Sequence, residues 1–173
     1  MTATLRIVPG KAIGPYWLGM SCLQLLEQLN LPVLGDRPYR MSSPHIATYD
    51  DTKLGIVIDV DIRIGLVYCI TARNNYDVTT SSGLRIGTQV SEAVINDQAF
   101  RLDEVSGVLE SQKEPGLFLE LDDPDPLPNQ ILDLKVVGIG VNDPKTFLAL
   151  ELLKFDAEKA DKIRREMLKI RGF

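Results

Sequence analysis

The chain has 173 residues, of which 45% are hydrophobic and 25% charged, and its net charge is −5. That length corresponds to about one domain, which can bury enough surface to fold without disulfide or metal staples. No apolar run approaches the roughly 18 residues that a membrane-spanning helix requires, and two cysteines do not make a disulfide-rich scaffold.

The charge is uneven. Residues 1–141 carry 11 basic and 18 acidic groups, a net of −7, whereas residues 142–173 carry 8 and 6, a net of +2. An acidic body argues against nucleic acid as a partner, because binding it requires a basic stripe that displaces counterions. The start, MTATLRIVPGK, lacks the basic and long apolar regions of a signal peptide, so the cytoplasm is the expected location, with no membrane partner. His45 is the single imidazole. A His-rich or Cys2His2 metal site is therefore excluded. The segment around it, SSPHIATYDD, reads as a turn entering a strand. No G-x-S-x-G, Walker A, G-x-G-x-x-G or H-E-x-x-H is present. No catalytic residue, metal site or cofactor is expected.

In chain order, IGPYWLGMS leads into a helix marked by Cys22, Leu25, Leu26 and Leu29, capped by Ser21 and ended near Pro32. Residues 38–41 suggest a short strand, and Tyr49 to Lys53 a turn. Leu54, Ile56, Ile58 and Val60 alternate with Gly55, Val57, Asp59 and Asp61, which predicts a strand with one apolar face. Residues 65–72 predict another strand, 74–75 a turn and 76–80 a further short strand. The pattern then returns, shifted by 68 residues: residues 83–88, GLRIGT, parallel residues 15–20, PYWLGM. Gln89 to Ala99 reads as a second helix with an apolar face at Val90, Val94 and Ile95. Leu117, Leu119 and Leu121 alternate with Phe118, Glu120 and Asp122, and Leu132, Leu134 and Val136 with Asp133, Lys135 and Val137, with a proline-rich loop at 124–128 between them. Gly19 and Gly87 are read as structural, giving the backbone a positive φ at a sharp turn. From Asp143 the spacing Ala149, Leu153, Asp156, Ala160, Ile163, Met167, Ile170 predicts helix.

The expected fold is α+β. Two similar helix-plus-antiparallel-strand units, at about 7–80 and 81–141, form one curved sheet in a single domain (1–141). An internal duplication is expected there, and a helical segment, 142–173, follows it. The stretch Ile13 to Leu29 and the hairpin YDDTKLGIVIDVD resemble the start of the phagosome assembly factor family. The architecture is similar to that of the β-lactamase inhibitor protein and of small outer-membrane assembly lipoproteins. What these resemblances imply is protein binding by a curved sheet, without catalysis.

Strand alternation places a candidate site. If Ile56, Ile58 and Val60 face the helices, then Val57, Asp59 and Asp61 face away. Phe118, Glu120, Asp122 and Asp133 fall on the same outer face by the same rule, and Asp50, Asp51, Asp123 and Asp125 lie near strand ends. An apolar centre with an acidic surround fits a basic protein, since such charge speeds encounter and selects partners. The leading expectation is a non-catalytic binding protein, in concrete form a bacterial immunity protein that neutralises a basic toxin such as a nuclease. One alternative is a scaffold or assembly subunit that uses Ile163, Met167 and Ile170. Another is a carboxylate-based, metal-dependent enzyme built on Asp59 and Asp61.

Overall fold

A computed structural model of the chain describes residues 6–31, 39–73, 76, 79–80, 83–96 and 100–143; of 94–96 it describes the backbone only. The helix expected beyond Asp143, the ending role of Pro32 and the turn at 74–75 lie outside these residues.

Three two-residue strands come first: β1 (Ile7–Val8), β2 (Ala12–Ile13) and β3 (Tyr16–Trp17). They form a small antiparallel sheet. Helix α1 (Cys22–Gln28) follows. Ser21 accepts the Gln24 amide while the Gln24 side chain accepts from the Ser21 amide, a reciprocal cap that satisfies two otherwise orphan N–H groups. Then come β4 (Tyr39–Ser43), β5 (Ile46–Asp51), β6 (Ile56–Asp61) and β7 (Leu66–Arg73). The second half repeats the order, with α2 (Val90–Asn96), β8 (Phe100–Asp103), β9 (Val108–Ser111), β10 (Leu117–Leu121) and β11 (Val136–Asn142). The eight strands β4 to β11 make one sheet in the order β4-β5-β6-β7-β11-β10-β9-β8. Each helix thus precedes a four-strand meander, and the last strands of the two meanders, β7 and β11, pair antiparallel in the middle.

The junctions before the two helices share their hydrogen bonds, the donors lying at the 68-residue shift and the acceptors one residue beyond it. The Gly19 amide donates to the Val67 carbonyl and the Gly87 amide to the Val136 carbonyl. Likewise Cys22 donates to Gly65 and Val90 to Leu134, each at 2.8 Å. Gly19 and Gly87 take φ of 82° and 91°, a region that side chains with a Cβ disfavour. The hairpin turns are also built alike. In 51–55, 61–65 and 103–107 an aspartate side chain accepts the amide two residues on, and a glycine four residues on donates back to that aspartate's carbonyl.

One face of the large sheet carries the core. Ile58 faces Ile70, Ile56 faces Ala72, and Leu119 faces Ile139, all buried. Ile13 and Tyr16 from the small sheet, Met20 from the segment that leads into α1, Leu25 and Leu26 from α1, and Val90 and Ala93 from α2 close over it. The Tyr16 hydroxyl donates to Asp51 at 2.7 Å.

The fold is mostly β, which corrects the α+β expectation: eleven strands stand against two seven-residue helices among the described residues. The helices make two turns each and serve as lids, while the alternating strands supply most of the core. Three segments left unassigned by sequence add to the strand content: β1–β3, β8 and β9. Conversely, the strand expected from Leu132 begins at Val136, after a 3-10 turn at Ile131–Asp133. Leu54, expected in the strand with Ile56, lies in the 51–55 turn.

Candidate functional site

The opposite face of the sheet is lined by residues of the other strand parity. Cross-strand register sets them in rows. One row runs Arg40, Thr48, Asp59, Cys69, Asn142 from β4 to β11. The next runs Asp50, Val57, Thr71, Gly140, Phe118, Glu110, Arg101 from β5 to β8. A third runs Arg73, Gly138, Glu120. The buried side chains of α1, α2 and the small sheet all belong to the core cluster on the other side. Among the described residues, no helix packs on this second face.

At its centre, β11 presents Gly138 and Gly140 in place of side chains, and β10 fills the space. The Phe118 ring lies directly on Gly140, where a Cβ would collide with it, and the Glu120 carboxylate lies on Gly138. Phe118 is only 7% exposed although it is no part of the core cluster. Such covering of a strand glycine by an aromatic ring secures the register of the pair.

Two ion pairs lie on this face. Arg73 grips Glu120 through Nε and Nη2 at 2.7 and 2.8 Å, a fork that holds the guanidinium charged and is shaped for a carboxylate. Arg40 pairs with Asp50 at 3.1 Å. Arg101 stands directly opposite Glu110. Asp59 accepts the Thr48 hydroxyl at 2.5 Å, and burial raises its pKa above the ordinary carboxylate value. Burial also pushes the neighbouring Cys69 thiol and the Tyr68 phenol well up, which keeps both protonated. Beside the Arg73–Glu120 fork a cavity of about 380 Å³ opens between Ser106, Pro124 and Val137.

Five of the ten residues expected at the site meet on this face: Asp50, Val57, Asp59, Phe118 and Glu120. The other five do not join them. Asp61 is 1% exposed and bound by its own turn, accepting the Arg63 amide and guanidinium, which hold its pKa down. Asp51 turns to the core side, toward Tyr16. Asp122 and Asp123 lie past the end of β10 and accept the amides of Lys135 and Asp125. Asp133 sits in the 3-10 turn rather than on a strand. The sequence reading missed Arg40, Arg73 and Arg101, because it tracked acidic parity alone. The spacing Gly138-x-Gly140 within an apolar strand was the available signal for close approach. Asp59 and Asp61 thus have separate partners, and no group of three or more His, Cys, Asp or Glu is placed to hold a metal ion among the described residues.

Compared with family models, curated proteins and solved structures, the chain matches none. No helix among the described residues is long and apolar enough to cross a membrane.

Proposed function

We propose that the protein is a non-catalytic binding module that engages a protein partner through the open face of its large sheet. One observation carries this reading: a broad antiparallel face on which no helix packs among the described residues, with half-buried Val57 on it and two ion pairs, Arg40–Asp50 and Arg73–Glu120, beside it. Charges that already have partners cost less to desolvate than unpaired ones would, which suits the face to an interface. The concrete form we favour remains an immunity protein that neutralises a basic toxin. The net charge of −7 over residues 1–141 supports a basic partner. Attraction would come from this overall field, because Asp50 and Glu120 on the face are already ion-paired.

The test is capture of the partner from native cell extract at low and then high salt, followed by binding measurements with the purified partner. Val57 lies half-buried in the same row as Phe118, with Thr71 and Gly140 between them. Val57→Arg is expected to weaken binding by about tenfold or more, the scale of a central interface contact. An unchanged Kd would reject the face as the interface. A partner that is acidic, or insensitive to salt, would reject the toxin-neutralising form.

A further inference from the structure

The small sheet is apolar on both sides. Ile7, Ile13 and Tyr16 form the row that faces the core and are buried. The opposite row is Val8, Ala12 and Trp17, and Trp17, the chain's single tryptophan, is 43% exposed. An antiparallel sheet at a protein surface ordinarily alternates apolar inside with polar outside. Other exposed apolar residues gather at the same end of the molecule. Leu23, 58% exposed, follows Cys22, whose amide donates to the Gly65 carbonyl at 2.8 Å. Ile62 and Ile64, about half exposed, belong to the turn that ends at Gly65. The Gly19 amide ties the segment after Trp17 to Val67, just beyond that turn. Val8, Trp17, Leu23, Ile62 and Ile64 therefore mark one end of the body with apolar side chains, a feature typical of interaction sites.

The chain itself leaves the sheet at this end. Asn142 closes β11 opposite Cys69, in the half of β7 that begins at Leu66. A Cβ placed on Gly10, in the turn between β1 and β2, would come within 3.9 Å of the Asn142 carbonyl oxygen. Thirty residues, 144–173, follow Asp143. Even a third of that length, extended, reaches about 30 Å. Its sequence carries apolar Leu153, Ile163, Met167 and Ile170, and residues 142–173 are net +2 beside a body of net −7.

We infer that the surface marked by Val8, Trp17, Leu23, Ile62 and Ile64 is a docking site for the chain's own residues 144–173. Exit point, length and apolar positions favour this occupant. Trp17 is a built-in reporter. In the full-length chain, Ile163→Asp with Met167→Asp is expected to shift Trp17 emission to the red and raise its quenching by acrylamide, while far-UV circular dichroism shows the sheet retained. Trp17→Phe with Ile62→Ser, in turn, is expected to speed cleavage within 144–173 by a protease at low dose, which a folded body resists. Trp17 fluorescence unchanged by the double substitution would overturn the inference. So would a native Trp17 signal that varies with protein concentration, which would give the surface to a second copy.

Discussion

The two faces of the large sheet solve the same problem in opposite ways. On the packed face, side chains such as Ile58, Ile70, Leu119 and Ile139 are buried by separate elements laid over them. On the open face, the sheet covers itself: Phe118 lies on Gly140, Glu120 on Gly138, and Arg73 clamps Glu120 in place. The first arrangement draws its stability from apolar burial. The second keeps a surface ordered with no helix over it among the described residues, and a partner could use such a surface.

The comparison can be broken by substitution, starting with the packed face. Leu119→Ala is expected to cost ~3 kcal/mol or more, because the site is fully buried and cannot collapse easily. Denaturant unfolding measures this, and a loss below ~1 kcal/mol would mean that the packed face is not the main source of stability. Next, Gly140→Ala on the open face is expected to cost about 1–3 kcal/mol by displacing the Phe118 ring, the range for overpacking. Phe118→Ala in the same chain should recover part of that loss, since the two groups share one space.

Two carboxylates of β6 sharpen the contrast further, with opposite signs. Asp61 has a lowered pKa from its Arg63 hydrogen bonds. Its contribution is present above the unfolded pKa and is lost as pH falls through the depressed folded value. Asp61→Asn should therefore cost about 1–2 kcal/mol at neutral pH, and the two proteins should converge in acid. Asp59 has a raised pKa from burial, so its ionised form opposes folding, and the wild type gains stability as pH falls through that raised value. Asp59→Asn is expected to be neutral or slightly stabilising at pH 7, provided that the amide oxygen keeps the Thr48 bond. Thermal melts between neutral and acidic pH check both. A destabilised Asp59→Asn at neutral pH would show that the hydrogen bond outweighs the burial penalty.

Much of this arrangement was legible in the sequence wherever one physical signal dominated. The alternation at Ile56, Ile58 and Val60 located β6 and its two faces. Ser21 announced the start of α1, and the glycines at 19 and 87 marked junctions that share their hydrogen bonds. The fold class was misread because β1 to β3, β8 and β9 are only two to four residues long, too short for alternation to mark them as strands. At the site, parity correctly grouped Asp59, Val57, Phe118 and Glu120. It could not reveal that Arg73 reaches Glu120 from 47 residues away, nor that Asp61 is consumed by its own turn. Register between distant strands set those pairings, and a local pattern does not encode it.

The central claim is that the open face binds a protein partner, and titration of the labelled protein with its captured partner, followed by NMR, tests it most directly. The account predicts that the Val57 methyl and Phe118 ring signals move or broaden on binding, while those of Ile58 and Ile139 on the packed face stay in place. Changes confined to residues 16–23 and 62–65, with Val57 and Phe118 unmoved, would contradict it.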